Sequence, residues 1–184
     1  MSVRKFFLEA IALSAALLTW PGDAVSGTND PPPAPPAAQP LPCSLPEYRQ
    51  FDFWIGNWEV RDPSGAVVGH NRISRELNGC MLHENWAGKG GMNGQSLNGY
   101  YPPAGLWHQT WMGDDGSFLL LDGTFKEGKM VMEGKQTTRK GGTVINRISW
   151  EPKKDGSVRQ LWEISTDNSA TWKVVFDGLY VKVG

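Results

Sequence analysis

From Tyr48 onward the chain is cut at short, even intervals by clusters of Gly, Asn, Asp, Ser and Pro. The clusters are Asp62–Gly65, Leu77–Gly79, Gly88–Gly91, Pro102–Gly105, Gly113–Gly116, Lys126–Gly128, Lys140–Gly142, Lys153–Gly156 and Asp167–Ser169. Each offers residues that tolerate the positive φ of a tight reversal. The runs between them are short and rich in Val, Ile, Trp, Tyr, Phe and Thr, which is the pattern of an all-β meander. Nine Trp, 22 Gly and 13 Pro in 184 residues argue in the same direction, away from a helical bundle.

The reading is therefore about ten antiparallel strands, beginning near Trp54, Val67, Met81, Gln95, Leu106, Phe118, Lys129, Val144, Val158 and Trp172. An open sheet of that size would expose its edges, whereas closure removes them. A single up-and-down barrel over residues 47–184 is expected, with a sandwich as the poorer fit. Leu45 to Phe53 has the one helical pattern and is expected as a short helix plugging one end.

Ahead of the barrel lie two other segments. Residues 1–24 join a basic head, Arg4-Lys5, to an apolar run from Phe6 to Leu18 and to small residues near Ala24. Those are the parts of a secretory signal, and the run is too short for a membrane span. Residues 25–46 hold eight of the prolines and read as an extended, disordered spacer. A periplasmic or secreted location follows, with no membrane span after cleavage. In such a compartment Cys43 and Cys80 are expected to form one disulfide, worth about 3–4 kcal/mol in the chain-entropy model.

Alternation along strands decides which residues share a face. It groups Glu84 with Trp86, Ser96 with Asn98 and Tyr100, Trp107 with Gln109 and Trp111, and Gln160 with Trp162. If the Trp side chains point inward, a carboxylate and several amides go in with them. Buried polar groups cost about 1–3 kcal/mol each unless satisfied. They are met by one another, by water or by a bound molecule, so the candidate ligand-binding set is Glu84, Trp86, Asn98, Tyr100, Trp107, Gln109, Trp111, Gln160 and Trp162. A hydrogen-bonded interior that binds nothing is the alternative.

Other chemistries find less support. The formal net charge of -1 gives no field to hold a polyphosphate, so nucleic acid is not an expected partner. His70, His83 and His108 lack the spacing of a zinc site, and no metal is expected. No nucleophile elbow or phosphate loop occurs. A barrel enzyme, an isomerase or hydrolase, would use Glu84 as acid or base, with its pKa raised by burial. Alternation puts His108 on the face opposite Trp107 and Gln109, which ranks it below Glu84. A structural or interaction module of the envelope is the third reading.

Several stretches resemble a family of secreted bacterial domains of unknown function that is assigned a calycin-like (lipocalin-like) barrel. They are Phe51-Asp52-Phe53-Trp54-Ile55-Gly56-Asn57-Trp58, Glu84-Asn85-Trp86, Ser96-Leu97-Asn98-Gly99-Tyr100, Trp107-His108-Gln109-Thr110-Trp111 and Arg159-Gln160-Leu161-Trp162-Glu163. The resemblance covers nearly everything after Cys43 and implies a barrel and export, but no activity. Gly56-Asn57-Trp58 also matches the Gly-x-Trp signature of lipocalin-like barrels, whose Trp caps the closed end. Haem-binding calycins add further glycines after that motif and a late histidine ligand; here Glu59-Val60-Arg61-Asp62 follows and no histidine occurs after His108. No cofactor is therefore expected. Ser165 to Trp172 resembles the Asp-box that braces sialidase hairpins, with Ser169 in place of its glycine, and is read as a folding device.

Overall fold

Ten strands form where the turn clusters leave room for them. In the computed structural model, which describes residues 41–138 and 140–183, they are β1 (Gly56–Arg61), β2 (Val67–Glu76), β3 (Met81–Gly88), β4 (Asn93–Tyr101), β5 (Leu106–Gly113), β6 (Phe118–Lys126), β7 (Lys129–Thr137), β8 (Thr143–Pro152), β9 (Val158–Ser165) and β10 (Lys173–Lys182). Each pairs antiparallel with the next, and β1 pairs with β10, so the sheet closes into an up-and-down barrel. The signal-like head and most of the Pro-rich spacer lie outside the described residues. No helix among those described is long and apolar enough to cross a membrane.

The closing seam is short. It runs from Trp58 opposite Lys182 to Arg61 opposite Leu179. Bulges between Val60 and Arg61 and between Val174 and Phe176 sharpen the curvature near it. Turn chemistry behaves as the residue types require. The two-residue reversal between β6 and β7 holds both Glu127 (φ 51°) and Gly128 (φ 79°) in the left-handed region. Ser169, in the glycine position of the Asp-box, has φ 71°.

The structure refines the sequence reading at the chain entry. The segment from Leu45 to Phe53 is not one helix but two 3-10 turns, Pro46–Arg49 and Asp52–Trp54. Trp54 belongs to the second turn rather than to the first strand. Pro46 opens the first turn, a position where its missing N–H would have no helical partner.

These turns bring Phe51 and Trp54 into one end of the barrel, both fully buried. Phe51 stacks on Trp54 at 4.9 Å and meets Trp107 and Trp150 edge-on at 5.7 and 5.2 Å. Trp58 is buried there too, donating its Nε1 proton to the Trp54 carbonyl at 2.9 Å, while Lys182 lies over its ring. The plug is strapped from outside. Cys43 is bonded to Cys80, Arg49 donates to the Gly79 carbonyl, and Arg75 pairs with Asp52.

Two outcomes are expected. Replacing both Cys43 and Cys80 by Ser should lower the unfolding free energy by about 3 kcal/mol in urea titrations, because the unfolded chain loses a long closed loop. Glu127→Asn should raise it by about 1 kcal/mol, since asparagine tolerates the left-handed conformation that glutamate is forced into here.

Candidate functional site

The strands that leave the plugged end carry a different set of inward side chains. Above Trp150 and Tyr180 the interior opens into a cavity of about 370 Å³. Its walls include Glu84, Gln109, Leu119, Ile148 and Gln160, with Trp86, Trp111, Trp162 and Phe176 higher up. It reaches the loops joining β3 to β4 and β5 to β6, where Met92, Asp115 and Ser117 line it. The volume falls within the range of small-molecule sites.

Room for the rings comes from glycine. A Cβ on Gly69 would lie 2.5 Å from the Trp86 ring, and one on Gly94 would lie 2.3 Å from that of Trp111. At Gly178 the clash would be with Phe176, at 2.6 Å. The rings thus pack directly over glycine backbone at the barrel wall. Trp86 and Phe176 meet edge to face, with centroids 6.1 Å apart.

A polar chain crosses the interior from β9 to β5. Tyr180 donates its hydroxyl proton to Gln160 Oε1. Asn71 Nδ2 donates to Glu84 Oε1 at 2.7 Å and to the Tyr180 oxygen at 3.3 Å. Ser96 donates to Glu84 Oε2 at 2.5 Å and accepts from Asn98 Nδ2 at 2.9 Å. Gln109 Nε2 then donates to Asn98 Oδ1 at 2.7 Å. Cross-strand register explains the order, since Glu84 faces Ser96 and Asn98 faces Gln109 in the ladder. On the opposite wall Trp162 Nε1 donates to Asn146 Oδ1 at 3.0 Å.

Glu84 is only 4% exposed. Burial penalises its charged form and pushes its pKa up to about 7, against the hydrogen bonds from Ser96 and Asn71 and the weaker pull of His83, which all act the other way. Tyr180 is likewise raised, by burial and by the nearby Glu84 carboxylate.

Of the nine residues singled out by alternation, Glu84, Trp86, Gln109, Trp111, Gln160 and Trp162 line this cavity. The other three point inward but do not reach it. Trp107 packs on the plug, and its Nε1 donates to Gln50 Oε1 at 3.3 Å. Tyr100 packs between Tyr48 and Trp107. Asn98 is fully buried behind Gln109. Strand alternation fixes the face but not the height along the barrel, and these three lie at or below the plug's level or behind a neighbour. His108 points outward, bonded to Asp122 and Thr110 on the barrel's outer face.

The sequence reading missed Asn71, Leu119, Gln136, Asn146, Ile148, Trp150, Phe176 and Tyr180. The same alternation applied to β2, β6, β7, β8 and β10 would have found most of them. Phe176 lies beside a bulge, which shifts the pairing locally. Among the described residues no cluster of three or more His, Cys, Asp or Glu is placed to hold a metal ion. No protein-family model matches the sequence, and no curated protein matches it significantly.

The raised carboxyl gives a signed pH dependence. Between pH 4.5 and about 7 the native state keeps the Glu84 proton that the unfolded chain has released. Stability from this group is therefore full below pH 4.5 and is lost as pH rises toward 7, by on the order of 3 kcal/mol. Asp167, held at about 2 mainly by its hydrogen bond with the Thr171 side chain, acts oppositely and at lower pH. The difference in unfolding free energy between Glu84→Gln and the parent protein isolates the first effect: it should shift in favour of the variant by about 2–3 kcal/mol between pH 5 and pH 8.

Proposed function

We propose that this protein is an exported, calycin-like barrel that binds a small molecule in its cavity. The observation that carries the reading is a space of about 370 Å³ left above an otherwise tightly packed aromatic plug. Close packing is the rule in protein interiors, and glycines at Gly69, Gly94 and Gly178 leave room for rings at the wall of a cavity rather than across it. The wall combines apolar rings with a few convergent polar groups, which is the composition of ligand sites. Export is supported by the signal-like head and by the Cys43–Cys80 bond, since disulfides persist in oxidising compartments.

The test has two parts. Native mass spectrometry of the protein purified from its own cells should reveal an added mass that disappears on denaturation. Ile148→Trp, which fills the cavity from a wall position without removing a hydrogen bond, should be recovered without that mass and should no longer change its Trp fluorescence when the released compound is returned. Identical clean masses for both proteins would count against the reading.

A further inference from the structure

Resting on the cavity reading, we propose that the ligand is a primary or secondary amine, held as its ammonium form with the charged nitrogen at Glu84. The first ground is a missing counter-charge. Partly buried carboxylates elsewhere in the barrel have cationic partners: Asp177 pairs with Arg159, Glu163 with Arg147 and Asp52 with Arg75. Glu84, more deeply buried than any of these, takes hydrogen bonds only from the neutral Asn71 and Ser96. Among the described residues no Lys, Arg or His lines the cavity. A carboxylate removed from water is costly until a cation or further donors compensate it, and no cationic side chain among the described residues does so here.

The second ground is two acceptor oxygens near it that no side chain among the described residues donates to. Gln109 is 2% exposed and spends its Nε2 on Asn98 and Ser96, leaving Oε1 to the cavity without a donor among the described residues. Asn71 Oδ1, beside Glu84, is also buried without a partner. An ammonium group brings several N–H donors together with the positive charge. A hydroxyl brings one donor and no charge, and a carboxylate or phosphate would bring like charge beside the same carboxylate.

The third ground is the surrounding rings. Trp86, Trp111, Trp162 and Phe176 line the same cavity, and aromatic faces attract cations most strongly when water is excluded. They also give the amine's carbon body an apolar wall. Each ground comes from a different part of the site, and all favour the same chemical class.

Isothermal titration calorimetry at pH 8 with three probes of one shape separates the cases: tryptamine, tryptophol and indole-3-acetate. Tryptamine should bind at least tenfold more tightly than tryptophol, indole-3-acetate should not bind, and Glu84→Gln should bring the first two within about threefold of each other. Equal or tighter binding of the alcohol or the acid overturns the amine assignment while leaving a ligand-binding cavity in place. A tenfold preference that persists in Glu84→Gln overturns the role of the carboxylate. Silence from all three probes overturns the amine assignment as well, and the cavity reading then stands or falls on the native mass comparison alone.

Discussion

Closure of the sheet is the constraint on which everything else depends. Once β1 and β10 pair, every strand has one face turned to a shared interior and one to solvent, and no edge remains to relax the choice. A period of two along ten strands then becomes a single continuous inner surface. Its contents are fixed by which residue of each pair looks in. Salt bridges such as Arg159–Asp177 and Arg147–Glu163 take the outer positions between the same strands.

That inner surface is divided by height. At one end the two 3-10 turns insert Phe51 and Trp54, and the rings of Trp58, Trp107, Trp150 and Tyr180 complete a buried aromatic layer. Aromatic pairs in offset and edge-on geometry are favourable beyond the area they bury. The disulfide and the Arg49 and Arg75 contacts keep the entering chain in that position. With the plug in place the barrel needs no further filling from that end. The remaining height is free to hold a cavity.

What fills the middle height is polar, and its connectivity gives it chemical character. The chain from Gln160 through Tyr180, Asn71, Glu84, Ser96 and Asn98 to Gln109 satisfies most of its members internally. It does not supply a positive charge. Burial therefore outweighs the hydrogen bonds from Ser96 and Asn71 and raises the Glu84 pKa to about 7. A group in that condition is sensitive to its surroundings, because any added charge or donor would change the balance between burial and hydrogen bonding.

The sequence by itself determined the strand count, the closed all-β architecture, the pairing of the two cysteines and the inward face of the residues from Glu84 to Trp162. Those features rest on local rules: glycine and asparagine where φ must be positive, alternation where one face is buried, and an even cysteine count. Only the tertiary structure decided how high along the barrel each inward residue lies. It separated Trp107 and Tyr100, which serve the plug, from Trp111 and Gln109, which face the cavity. It also brought Tyr180, on the last strand, to Asn71 and Glu84 on β2 and β3, a meeting that depends on closure of the barrel.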